Sequence, residues 1–144
     1  MTGQQIRLRR LAVWFVVLSL TACAHLGDRD PAASLESRVT AHWQAKVNGN
    51  WREAYAFLCR AYRSQVTEDS YVSSSNLKFL AFRVAAVEMD PERTRATVTV
   101  RFDVNGMGIT FKDISFQEEW INEDRSWYLC PKPGGLKRLF EKNS

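Results

Sequence analysis

At Leu77 the spacing of apolar residues changes from about four to two, and along the whole chain it changes only once. A spacing of three to four puts apolar side chains on one face of a helix, and a spacing of two puts them on one face of a strand. A single switch therefore means helices first and a sheet afterwards, an α+β domain with N-terminal helices packed on a curved antiparallel sheet. A length of 144 residues, 45% hydrophobic, suits one such domain rather than two.

Before the switch, Leu35, Val39, Trp43 and Val47 recur at intervals of four, with His42 beside them, and predict a helix over 35–47. Asn48-Gly49-Asn50 breaks it. Asn50 is a good N-cap, and Glu53 stands where it can reach back in a capping box. Trp51, Ala54, Tyr55, Leu58, Cys59 and Tyr62 then follow at helical spacing and predict one continuous helix over 51–62. Thr67 caps a short third helix running through Tyr71.

After the switch, Phe82, Val84 and Ala86 alternate with Arg83, Ala85, Val87 and Met89, and Asp90-Pro91-Glu92-Arg93 makes a turn. Ala96, Val98, Val100, Phe102 and Val104 alternate strictly with Thr97, Thr99, Arg101 and Asp103, the pattern of a half-buried antiparallel strand. Asn105-Gly106 starts a hairpin connection. In the next strand the apolar parity slips between Ile109, Phe111 and Ile114, Phe116, Trp120, and a bulge near Lys112-Asp113 repairs it. Asn122 to Arg125 turns the chain into a last strand, Trp127-Tyr128-Leu129-Cys130. Leu136, Leu139 and Phe140 give one amphipathic turn, read as a docking tail.

The N-terminus carries an address. Arg7, Arg9 and Arg10 precede an apolar run from Leu11 to Leu20, and small residues follow. The run is too short for a membrane span, which needs about 20 apolar residues, and reads as a secretory signal. Leu20-Thr21-Ala22-Cys23 resembles the lipobox of bacterial lipoproteins. That resemblance implies cleavage before Cys23, acylation of Cys23, and, with Ala24 rather than aspartate next, residence at the outer membrane facing the periplasm. The resulting layout is a signal peptide over 1–22, a lipidated tether over 23–34, the α+β domain over 35–131 and a tail over 132–144.

A second resemblance rests on Gly49-Asn50-Trp51-Arg52-Glu53-Ala54-Tyr55, Glu119-Trp120 and Trp127-Tyr128-Leu129. Together they look like the nuclear transport factor 2-like superfamily, a cone-shaped α+β fold related in outline to the cystatin-type cone. The resemblance implies a sheet wrapped round the first helix, with a cavity between them. Enzymes on that fold, isomerases and cyclases, place an Asp, His or Tyr in the cavity.

Charge narrows the function. Twenty Lys and Arg face sixteen Asp and Glu, and three of the bases belong to the signal, so the body is close to neutral. The concentrated basic excess that nucleic-acid binding requires is missing. The two histidines, His25 and His42, have no partner at metal-ligand spacing, so neither a metal nor a cofactor is expected. Cys59 and Cys130 have no histidine nearby in sequence, and in an oxidising envelope they are expected to pair with each other.

Acid/base chemistry is the enzymatic option that remains. Glu118 shares a strand face with Phe116 and Trp120, which predicts a carboxylate in apolar surroundings with a raised pKa. It serves either as a general acid or base, or as the ion-pair partner of an arginine such as Arg83. His42 is the second candidate, at the edge of the first helix's apolar face. Two functions follow. One is an envelope lipoprotein that binds or assembles without turnover, its apolar seam between sheet and helices meeting an envelope protein or a small apolar ligand, with a homodimer through the sheet as a further possibility. The alternative is a small cofactor-free enzyme in which Glu118, His42 and a tyrosine such as Tyr55 converge.

Overall fold

The structure is a computed structural model that describes residues 30–132. The signal, Cys23, most of the expected tether and the tail from 133 onward lie outside the described residues. The fold is α+β, with a few short helices and one four-stranded antiparallel sheet.

Helix α1 spans Pro31–Val47. It starts four residues ahead of the expected Leu35 because Asp30 caps it, accepting from the Ala32 N–H at 3.1 Å, and Pro31 sits where no intrahelical N–H is required. Residues 31–34, read as tether, are therefore helix. Leu35, Val39, His42, Trp43 and Lys46 make its buried stripe.

The continuous helix expected over 51–62 is two helices. Helix α2 spans Trp51–Ala56 and α3 spans Arg60–Arg63. As read, Asn50 caps α2, its side chain accepting from the Glu53 N–H and donating to the Glu53 carboxylate. The break at Phe57–Cys59 has a long-range cause. Leu58 leaves the helix to form a parallel bridge with Leu129, and Cys59 is covalently joined to Cys130 with 5.2 Å between Cα atoms. Local periodicity favoured a helix; a bond 71 residues away in sequence overrode it. Helix α4, Glu68–Ser73, starts at the expected Thr67 cap.

The strands are β1 Lys78–Met89, β2 Arg95–Gly106, β3 Ile109–Glu123 and β4 Ser126–Leu129, each paired with its sequence neighbour in the order β1-β2-β3-β4. Ala96, Val98, Val100, Phe102 and Val104 are all buried, as their alternation demanded. The bulge expected in β3 is present: Phe102 faces Ile114 while Val104 faces Phe111, so Lys112 and Asp113 together stand opposite Asp103, one residue in excess. Asp113 stands at φ +55°, its N–H donates to Asp103, and its carboxylate accepts from Arg101 and Arg83. The reversal between β2 and β3 falls at Met107-Gly108, one step past Asn105-Gly106, because Gly106 is still paired with Ile109.

Helix α1 lies on the inner face of the sheet. Leu35, Val39 and Trp43 join Phe79, the β2 residues, Trp120, Trp127 and Leu129 in one core. The outer face carries Arg83, Arg101, Asp103 and Asp113. Between β3 and β4 the chain turns on Asp124 and Arg125 at φ +51° and +66°, left-handed backbone that strains an L side chain. Arg125→Gly is expected to raise stability by about 0.5–1 kcal/mol, seen as a higher urea midpoint. An unchanged or lower midpoint would show that arginine adopts this turn without strain.

The two edges of the sheet differ. The outer edge of β4 is closed: the Leu129 N–H donates to the Phe57 carbonyl, the Cys59 N–H donates to the Leu129 carbonyl, and Arg38 Nε donates to the Trp127 carbonyl at 2.7 Å. Among the described residues nothing pairs with the outer edge of β1.

Candidate functional site

Three buried polar side chains meet the aromatic core: His42 and Lys46 from α1, and Glu118 from β3. On α1 they follow from helical spacing, since 39, 42, 43 and 46 share one face. On β3, Glu118 lies opposite Val98 and points inward only because the Lys112–Asp113 bulge has reset the parity.

Glu118 has defined partners. One carboxylate oxygen, Oε2, accepts from Trp43 Nε1 at 3.1 Å and from Trp120 Nε1 at 3.2 Å. Burial pushes its pKa up, opposed first by the positive charge of Lys46 and then by the two indole N–H groups. The expected alternative partner, Arg83, is elsewhere, bonded to Asp113 on the outer face. Opposite faces of the strands explain this, because Arg83 pairs with Arg101 in the outward register.

Lys46 was not among the sequence candidates. Its ammonium sits 3.6 Å from the centre of the Trp43 ring and 4.4 Å from that of Phe79, a cation–π placement between two faces. Burial lowers its pKa to about 8, and Glu118 works the other way. The signal that finds it is its position four residues after His42 on the apolar stripe.

His42 packs edge-on against Phe57, Trp120 and Trp43, and its Nδ1 lies 3.2 Å from the Ala54 carbonyl. With Nδ1–H donating there, Nε2 is a buried acceptor without a partner. Burial holds its pKa well below the usual value, helped by the Lys46 and Arg38 charges and opposed by the Ala54 bond. Tyr55 does not join the group: its hydroxyl donates to the Val66 carbonyl at 2.7 Å. The convergence of Glu118, His42 and Tyr55 that the enzyme alternative calls for is thus not formed. Glu118 and His42 share Trp43 and Trp120 as neighbours, and Tyr55 is held by another loop.

The aromatic residues are core. Trp43, Trp120, Trp127, Phe79 and Phe102 are fully buried, and Trp43 stacks on Phe102 with ring centres 4.9 Å apart. Around Glu118 the seam between α1 and the sheet is lined by these rings, with Trp43 and Trp120 bonded to its carboxylate. A shallow hollow on the outer face, lined by Glu88, Asp90, Arg95, Thr97 and Glu119, has two of its three acids engaged: Asp90 accepts from Thr94 and Arg95, and Glu119 from Arg95. Among the described residues no group of three or more His, Cys, Asp and Glu could hold a metal ion.

A histidine kept neutral by the fold makes a prediction. The unfolded chain takes up a proton near pH 6.5 and the folded one does not, so His42 withdraws stability as pH falls below about 6.5. Glu118, with its raised pKa, has the opposite sign: its contribution is fullest below the unfolded carboxylate value and is lost as pH rises through the folded one. The clean reading is therefore a difference. The stability gap between the wild type and His42→Gln should shrink by up to about 1.4 kcal/mol per pH unit below 6.5. A gap constant from pH 7.5 to 5 would mean that His42 protonates freely in the fold.

No protein family profile matches the chain. No curated protein matches it either. Among solved structures, it is similar to a SEC-C motif containing protein from Rhodopseudomonas palustris, with a TM-score of 0.57 and 18% identity over 69% of this chain and 77% of that one. At that identity the likeness shows the fold alone. These findings overturn both resemblances drawn from the sequence: the similar structure is that of a SEC-C motif containing protein, and the comparisons bring no support for a lipobox or for a nuclear transport factor 2-like domain. The short motifs behind the second have local reasons here. Asn50 caps a helix, Trp51 packs on Tyr71 and Phe79, Glu119 pairs with Arg95 and Lys132, and Trp127 Nε1 donates to the Pro31 carbonyl.

Proposed function

We propose that this chain is an exported, non-enzymatic binding or assembly module held at a bacterial envelope membrane by its N-terminal part. The observation that carries the non-enzymatic reading is the state of Glu118. The one inward acid singled out for catalysis is 3% exposed and is bonded to two indole N–H groups, whereas general acid/base transfer needs a substrate proton within ~2.6–3.2 Å.

Two features support export. The N-terminus has the order of a secretory signal, basic, then apolar, then small. The pairing of Cys59 with Cys130 suits an oxidising compartment.

The test is fractionation of cells expressing the full chain, with mass spectrometry of its mature N-terminus and crosslinking in intact membranes. A chain that sits in the membrane fraction through its N-terminal part and crosslinks to an envelope protein supports the reading. A soluble cytoplasmic chain retaining residues 1–22 overturns it, and so does an isomerase or cyclase activity abolished by Glu118→Gln.

A further inference from the structure

One edge of the sheet is sealed and the other is bare, although the bare one is three times longer. Strand β4, with 4 residues, has its outer edge taken by Arg38, Phe57 and Cys59, whereas β1, with 12, has none of the described residues against it. At ~3.3 Å per residue β1 presents an edge of about 40 Å. Such an edge is a template for another strand unless charges guard it. Here Leu80 and Val87 are 43% and 37% exposed, and the strand holds three charges, Lys78, Arg83 and Glu88.

The placement of those charges selects the occupant. They fall at intervals of five, and the bulges at Leu80 and Ala85 bring all three to the outer face, where they pair with Asn105, Arg101 and Thr97 of β2. We propose that β1 pairs antiparallel with the β1 of a second copy of this chain, about a twofold axis at Arg83. That register sets each Lys78 opposite the partner's Glu88, so the dimer gains two opposite-charge cross-strand pairs from one strand sequence. On the inner face it sets Phe82 opposite the partner's Val84. The two Arg83 side chains meet at the axis, and each has its own Asp113 carboxylate at 3.3 Å to offset the repulsion. Pairing that is two residues out of register places Lys78 opposite Ala86 or Asp90, and the latter's carboxylate is already filled by Thr94 and Arg95. The result is one eight-stranded sheet with both outer edges formed by sealed β4 strands. This dimer does not depend on the envelope reading, since it uses only the strand itself.

The test uses the full chain in detergent, in a Cys23→Ser background so that an added cysteine is the only free thiol. Directly opposed residues in an antiparallel pair have Cα atoms ~4.5–5.5 Å apart, within disulfide reach. Arg83→Cys should convert to a covalent dimer on mild oxidation, while Gln117→Cys, exposed on the same outer face of β3, should not. By sedimentation, Lys78→Glu should weaken the dimer on the order of tenfold, and adding Glu88→Lys should restore it. A chain that stays monomeric at high micromolar concentration overturns the proposal. A dimer in which Arg83→Cys does not crosslink, or which is indifferent to both charge changes, overturns it equally.

Discussion

Removing the carboxyl group of Glu118 as Glu118→Ala should destabilise the domain by about 3–5 kcal/mol, the largest effect expected of any single substitution here. Three consequences add. The buried indole N–H groups of Trp43 and Trp120 lose their acceptor. Lys46, equally buried, loses the negative charge that counters its desolvation. A void is left beside the core rings. Glu118→Gln keeps an oxygen for the indoles and should cost less, about 1–2 kcal/mol. Urea unfolding followed by tryptophan fluorescence separates the two. An alanine variant within 1 kcal/mol of the wild type would mean that these hydrogen bonds carry no net stability.

The second large effect concerns the crosslink. Replacing Cys59 and Cys130 together by alanine should lower stability by up to about 4 kcal/mol on the chain-entropy argument, since the bond closes a loop of 71 residues. It should also loosen one place more than others. The Leu58–Leu129 bridge and the Cys59–Cys130 bond both fall at the Phe57–Cys59 break, so without the bond the helical periodicity of 51–62 is free to compete with the bridge. Hydrogen exchange should then accelerate at the Cys59 and Leu129 amides, which hold the β4 edge, more than at Val98 or Val100 in mid-sheet. Uniform acceleration across the domain would show that the crosslink acts on the unfolded chain alone.

Apart from the pairing of Cys59 with Cys130, what could be read beforehand divides along sequence distance. Strand β2 was legible because every residue from Ala96 to Val104 obeys one local rule. The β3 bulge was legible too, because a parity slip can be repaired only by extra residues, and Lys112 and Asp113 are where it occurs. The Thr67 and Asn50 caps are likewise local chemistry. The interruption of the second helix was not legible, since its cause lies in a strand near residue 129. The same limit applies to the site. Glu118 could be placed on the inward face, but its donor Trp43 comes from 75 residues earlier, and nothing local indicates that pairing. Lys46 was passed over because a lysine on an apolar stripe is ordinarily expected to reach for water, whereas here two aromatic faces receive its charge.

The junction of α1 with β4 also sets an order of events during folding. Every strand pairs with its neighbour in sequence, so the hairpins can form early by short-loop closure. By contrast, Trp127 meets the carbonyl of Pro31 across 96 residues and is bonded by Arg38 across 89. Closing loops of that length is entropically dear and comes after the hairpins. The start and finish of the domain thus meet late as it forms, and until they meet, the β4 edge lacks its Arg38 bond and depends on the Phe57–Cys59 segment alone. A chain caught before both the Phe57–Cys59 segment and Arg38 have docked has two open edges instead of one, and offers two sites for strand-to-strand aggregation.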